Sequence, residues 1–144
     1  GNWPGYVAEP FLQETIIPVM APGLARRLHA DTLDAALRAT RALVNTTVDG
    51  EWDSWCGARG IAPPDAAQRY NLETNALTVR AAVDELGIAV GRKPLIDPLL
   101  ASGVLVQPFC AEDAGDTAYY IVRRPGPISS DVKRLHAWLL DQVR

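Results

Sequence analysis

Short β-prone runs alternate with stretches of helical periodicity along this chain, and the alternation predicts the order of its elements. Runs rich in β-branched and aromatic residues predict strands at 11–20, 42–47, 68–71, 88–90, 104–109 and 117–122. Shorter helical segments are predicted at 24–28, 32–38, 51–58 and from Pro94 to near Gly103. Strands and helices alternating at these lengths are typical of an α/β fold with a largely parallel sheet.

The strongest helical pattern lies at 72–86. The apolar stripe there consists of Leu72, Ala76, Val79, Val83 and Leu86, at spacings of four, three, four and three residues. This spacing predicts an amphipathic helix with one buried face. We expect Asn71 to be its N-cap and Gly87 to be the residue just beyond its C-terminus.

Two further helices have predicted caps. Asp31 is expected to cap the helix at 32–38, because its carboxylate can accept free amide protons. Ser130 is expected to cap a final helix. The residues of that helix expected to face a core are Val132, Leu135, Leu139 and Val143.

Composition narrows the class of protein without identifying it. The 144 residues are 48% apolar and 22% charged with a net charge of −3, as in an ordinary soluble globular domain. This charge argues against a surface that binds nucleic-acid phosphates, and no apolar run is long enough to span a membrane. Cys56 and Cys110 are expected to be reduced thiols of a cytosolic protein.

The sequence offers no catalytic motif. His29 and His136 lack metal-ligand spacing, and neither a nucleophile elbow nor a phosphate-binding loop occurs. Gly87 and Gly91 lie on either side of a predicted strand and do not begin a helix. They therefore do not match the glycine pattern of a dinucleotide-binding loop. We therefore predict that the chain is not an enzyme, holds no metal and needs no cofactor. Trp52 and Trp55, on one face of a short helix, are interpreted as structural anchors.

Six motifs in a fixed order carry a family resemblance. They are GNWPG at 1–5, LQETIIPV at 12–19, WDSWCGARG at 52–60, the helix and GIAVG stretch at 70–91, LLASGVLVQPF at 99–109, and YYIV at 119–122 together with WLL at 138–140. Together they resemble the effector-binding domain of LysR-type transcription regulators. Within that family they are most similar to the subgroup of glycine-cleavage activators and β-lactamase regulators.

The resemblance implies a periplasmic-binding-protein-like fold with two lobes. The second lobe would lie at 14–118, with remnants of the first lobe at 1–13 and 119–144. In such a chain without the rest of the first lobe, the apolar face of the final helix would be exposed or pack elsewhere. The family also implies DNA binding only through an N-terminal domain outside this sequence, a homodimer or homotetramer, a cytoplasmic location and no membrane contact.

The resemblance places a small-molecule effector between the lobes. The residues expected to bind it are Tyr70, Asn71, Glu73, Thr74 and Tyr119. A helix N-terminus favours an anion, whereas Glu73 would repel one and could recognise an ammonium group, so an amino-acid-like or carboxylate effector is expected. Purely structural roles remain open: Asn71 as a cap, Thr74 bonded to backbone, and one of Tyr119 and Tyr120 in a core.

Two other classes remain as alternatives. A solute-binding protein of a transporter has the same lobe design, and the part of the gene upstream would distinguish it through an export signal. An enzyme on a similar scaffold would need a cofactor or a strongly perturbed titratable group. The sequence offers no residues that would support the enzyme alternative.

Overall fold

The computed structural model describes residues 2–48, 50–109 and 113–143, with only the backbone described at 113–118. The strands are β1 (Val7–Val19), β2 (Ala42–Asn45), β3 (Arg69–Leu72), β4 (Ile88–Lys93) and β5 (Asp113–Arg123). The helices are α1 (Pro22–Leu28), α2 (Leu33–Ala39), α3 (Glu51–Gly57), α4 (Asn75–Val83), α5 (Asp97–Ala101) and α6 (Ser130–Asp141). A 3₁₀ turn at Ala66–Gln68 precedes β3. Cys110 lies outside the described residues.

The strands hydrogen-bond in the order β3-β2-β4-β1-β5. β2 runs parallel to both of its neighbours, with Ala42 opposite Arg69 in β3 and Ile88 in β4. These pairings confirm the predicted α/β class. The predicted strand at 104–109 is wrong, because within it the described backbone forms only a single antiparallel bridge, from Val106 to Met20.

The chain divides into two compact units. The larger unit is Ile16–Asp113, and the smaller unit combines Gly1–Thr15 with Ala114–Arg144. In the larger unit, side chains alternate between the two faces of the sheet. Ala42 belongs to an apolar cluster that contains Trp52 and Trp55, whereas Leu43 belongs to a second cluster that contains Ala81 and Ala82. The helices α3 and α4 therefore cover opposite faces of the sheet.

The main helix begins three residues later than the sequence pattern predicts. β3 continues through Asn71 and Leu72, which pair with Val44 and Asn45, so Asn71 is not the N-cap. Thr74 has that role, and its hydroxyl oxygen accepts a hydrogen bond from the Leu77 amide at 3.2 Å. Strand pairing thus overrides the local cap signal.

The buried face of α4 also differs from the predicted stripe. Thr78, Ala81 and Ala82 are buried, whereas Ala76 and Leu86 are exposed. Val79, Val83 and Leu72 are partly buried against the same cluster. Small residues face the sheet because they allow the helix backbone to approach it closely, and this rotates the buried face away from the larger apolar residues.

The N-caps of α2 and α6 each lie one residue away from the predicted cap. Thr32 caps α2 through the Ala35 amide, and Ser129 caps α6 through the Val132 amide, in place of the predicted Asp31 and Ser130. Neighbouring residues with similar cap chemistry compete, and the one whose backbone is extended takes the position. The predicted helix at Pro94 instead begins at Asp97, with proline in its first turn.

Gly87 is not a helix terminator as predicted. α4 ends at Val83 with Asp84 as its C-cap, and Glu85 takes the left-handed conformation, with φ of 63°. Gly87 is buried, and a Cβ there would lie 2.3 Å from the carbonyl oxygen of Arg41. That carbonyl accepts a hydrogen bond from the Ile88 amide at 2.9 Å. The glycine is therefore needed for a close approach of two backbone segments.

We expect Gly87→Ala to lower the free energy of unfolding by about 1–3 kcal/mol, because backbone atoms must move to admit the methyl group. Chemical denaturation followed by circular dichroism measures the loss. Gly57→Ala is the matched control, since a Cβ at Gly57 meets nothing within 4 Å. The control should be no less stable than the wild type. Equal midpoints for the two variants would contradict the close-approach explanation.

The last helix does not bury the face predicted for it. Val132, Leu135 and Val143 are exposed, and only Leu139 of the predicted set is partly buried. Within the smaller unit, α6 and the end of β5 enclose a groove of about 200 Å³. None of the described helices has both the length and the apolar character required to cross a bilayer.

Candidate functional site

The carboxyl ends of β2 and β3 lie side by side in the larger unit. The amide and the hydroxyl of Thr46 both donate to the carbonyl oxygen of Leu72, at 2.9 and 3.2 Å. Asn45 is 4% exposed, and its Oδ1 accepts from the amide and hydroxyl of Thr47 at 3.1 and 2.8 Å. These bonds fix the two strand ends, and ligands of open α/β sheets bind at this edge.

The N-terminus of α4 follows directly on this edge. Helix geometry leaves the amides of Asn75 and Ala76 without an intrahelical acceptor. Thr74 and Glu73 are exposed immediately before them. Because the Thr74 oxygen already accepts from the Leu77 amide, its own proton is directed elsewhere. The helix start is therefore an exposed cluster of donors with one carboxylate beside it.

Tyr70 and Asn71 lie on opposite faces of β3, because successive residues of a strand alternate. Tyr70 is opposite Leu43 and shares the face covered by α4, whereas Asn71 is opposite Val44. Tyr70 is 47% exposed on this edge strand. The structure thus places Thr74, Glu73 and Asn71 at one strand end without putting Asn71 and Tyr70 on a common face.

In the smaller unit, the two adjacent tyrosines of β5 have different surroundings. Tyr119 is 39% exposed, and its hydroxyl donates to Oε1 of Glu14 at 3.3 Å. Tyr120 is partly buried, with its ring 5.1 Å from that of Trp3. The alternative that one of them is a packing residue therefore applies to Tyr120. The sequence analysis did not single out Glu14 as the partner of Tyr119, although a carboxylate within an apolar strand could have drawn attention to it.

Ion pairs hold the elements around the larger unit's edge. Glu51, the first residue of α3, pairs with Arg92 of β4, and their side chains are 4% and 15% exposed. Arg69 of β3 donates to Asp53 of α3 at 2.7 Å, and this hydrogen bond lowers the pKa of Asp53. α3 is therefore tied to both outer strands of the β3-β2-β4 group.

The described residues offer no strong catalytic candidate. Burial raises the pKa of the Cys56 thiol, which disfavours the reactive thiolate. No group of three or more histidine, cysteine or acidic side chains within the described ranges is placed to hold a metal ion. In the smaller unit, His136 of α6 contacts Oε2 of Glu9 in β1 at 2.8 Å.

The chain belongs to the LysR substrate-binding domain family, whose model matches residues 1–144. It is 32% identical to the HTH-type transcriptional regulator DsdC of Escherichia coli K12, over 92% of this chain and 45% of that protein. It is 29% identical to the activator AmpR of Enterobacter cloacae, over 100% of this chain and 48% of AmpR. The chain thus spans about half the length of the curated relatives it matches.

A solved structure supports the same assignment. The AmpR effector-binding domain of Citrobacter freundii superposes with a TM-score of 0.82 at 25% identity, covering 99% of this chain and 70% of that domain. The resemblance drawn from sequence motifs is confirmed, since AmpR activators and a glycine cleavage system transcriptional activator are among the relatives. These relatives are transcription regulators, which disfavours the transporter alternative.

Proposed function

We propose that the chain is the effector-sensing part of a LysR-type transcription regulator that binds a small metabolite. The observation that carries the proposal is the exposed N-terminus of α4, located at the carboxyl edge of a parallel sheet. DNA would be bound by a further domain of the whole protein, which would act in the cytoplasm as a homodimer or homotetramer. Effector binding would shift the population of conformations that present that domain.

The chemistry of the α4 start favours a carboxylate on the effector. Partial positive charge at a helix N-terminus stabilises an anion by about 0.3–1 kcal/mol, and more where it is partly buried. The Thr74 hydroxyl adds a donor, because its oxygen already accepts from Leu77. Asn71, which does not cap the helix, offers an exposed amide, and Tyr70 offers an exposed ring. Glu73 would favour a cationic group on the same molecule.

Thermal unfolding of the full-length protein with amino acids and their carboxylate analogues tests the proposal. A ligand at a hundredfold excess over its Kd should stabilise the protein by about 2.7 kcal/mol. We expect Thr74→Val to lose most of this ligand-dependent gain, in addition to about 1 kcal/mol of ligand-free stability from the lost cap.

Thr74→Ser is the control, because it keeps the hydroxyl and the cap. It should retain the ligand-dependent gain. The proposal fails if none of the probes raises the unfolding temperature, or if Thr74→Val binds a carboxylate probe as tightly as Thr74→Ser does.

A further inference from the structure

A buried amide side chain lies at the carboxyl end of β2, within the larger unit. Asn45 is the last residue of that strand and is only 4% exposed. Leu43, two positions earlier on the same face of the sheet, packs in one cluster with Ala81 and Ala82 of α4. Because β3 and β4 are both parallel to β2, α4 starts at the carboxyl edge and runs back toward the start of β4. Asn45 is therefore nearer than Leu43 to the start of α4.

Thr47 fixes which way the Asn45 amide is turned. Its backbone amide and its hydroxyl both lie within hydrogen-bond distance of the same Asn45 atom, at 3.1 and 2.8 Å. A backbone amide can only donate, so that atom must be the carbonyl oxygen Oδ1. The NH₂ group, which carries two donors, is consequently turned away from Thr47.

The NH₂ group of Asn45 has no acceptor within the described part of the chain. Buried polar groups are nearly always hydrogen-bonded, because a missing bond costs the free energy of desolvation. The nitrogen is not sealed in the core either, since among the described residues the enclosed side-chain atom without a partner is Nε1 of Trp55. The two donors of Asn45 are therefore accessible from the surface, at the edge where α4 begins.

We propose that Asn45 binds the effector directly, by donating from its NH₂ group to the carboxylate attracted by the N-terminus of α4. This inference rests on the proposed function, since it assumes an effector at that helix end. A carboxylate only accepts hydrogen bonds, so it matches a group that is left with donors alone. Asn45 thereby selects a carboxylate over a neutral carboxamide, which has one acceptor oxygen and donors of its own.

A purely structural role for Asn45 makes a different prediction. In that role the bonds from Thr47 to Oδ1 shape the turn after β2, and the NH₂ group contacts no ligand. Asn45→Asp keeps an oxygen facing Thr47 and changes only the other half of the group, from two donors to a carboxylate oxygen. A turn residue should tolerate this change without altering ligand preference, whereas a residue that binds a carboxylate should not.

The experiment is calorimetric titration of the full-length protein with matched probes. The probes are the common L-amino acids and their D-enantiomers, each compared with its own carboxamide. We expect the wild type to bind at least one amino acid about tenfold or more tightly than the matching carboxamide, the effect of one charge-assisted hydrogen bond.

Asn45→Asp should reduce this preference by about tenfold or more, because its carboxylate repels the acid but can accept from the carboxamide. Any loss of folded protein weakens both members of a probe pair equally, so the ratio of their dissociation constants does not change with stability. Asn2→Asp is the control, since it makes the same change of charge at an exposed position in the smaller unit. It should keep the wild-type ratio.

The possible failures are distinguishable. An unchanged ratio in Asn45→Asp, including equal weakening of both members of a pair, overturns this inference alone and assigns Asn45 to the turn. A wild type that binds amino acids and their carboxamides equally well also overturns it, while the effector site itself stands. If none of the probes binds, both this inference and the proposed function are wrong.

Discussion

Replacing Arg92 by methionine will lower the free energy of unfolding by about 3–5 kcal/mol, the cost of removing one partner from a buried ion pair. Methionine keeps the apolar length of the side chain, so the loss reports the charge and its hydrogen bonds more than packing. Glu51, whose side chain is 4% exposed, would lose its cationic partner inside the protein. Urea denaturation followed by circular dichroism gives the value.

Arg134→Met is the surface control for this prediction. Arg134 pairs with Asp131 at 2.6 Å on α6, but both side chains are about 80% exposed, and loss of the pair should leave the midpoint unchanged. A second comparison uses the double variant Arg92→Met/Glu51→Leu, which lacks both charges of the pair. The double variant should recover most of the lost stability, because burying neither charge avoids both desolvation costs. A double variant no more stable than Arg92→Met would show that the pair is not the cause.

The second large effect is expected at Trp52. Truncation to alanine should cost about 3–5 kcal/mol, since the side chain is 1% exposed and belongs to the core cluster around α3. Its indole nitrogen also donates to the carbonyl oxygen of Leu43 at 2.9 Å. This bond joins α3 to β2 directly below the strand end that carries Asn45 and Thr46.

The neighbouring tryptophan separates the hydrogen bond from the packing. Trp55 is also 1% exposed and meets Trp52 edge to face at 6.4 Å, but its indole nitrogen has no hydrogen-bond partner among the described residues. We therefore expect Trp52→Phe to cost about 1 kcal/mol more than Trp55→Phe, the net value of one hydrogen bond. Equal losses measured by urea denaturation would mean that the Leu43 contact contributes nothing to stability.

These two residues show what local patterns predict well. Tryptophans three residues apart on a short helix indicated anchors, and both are buried in the core. The alternation of strands and helices indicated the fold class, and the ordered motifs indicated the family. Each of these signals is contained in the composition or spacing of short segments, so no knowledge of distant neighbours was needed.

Errors arose where several neighbouring residues had equivalent chemistry. Asn71 and Thr74 are both good caps, and only the pairing of Asn71 with Val44 in β2 excluded the first. Gly87 fits a helix terminator by sequence, but its role is set by the carbonyl of Arg41, which is distant in the chain. Such choices depend on tertiary contacts, which override local preferences of about 1 kcal/mol.

At the candidate site, too, some features followed from local sequence and others from contacts between distant residues. Periodicity and motif order were enough to predict the class of fold, the family and the approximate start of α4, because both are properties of contiguous residues. Only the tertiary structure paired Glu14 with Tyr119 across 105 residues, and Glu51 with Arg92 across 41. Hydrogen bonds depend on distance and direction between atoms, and these are fixed when strands choose their neighbours in the sheet.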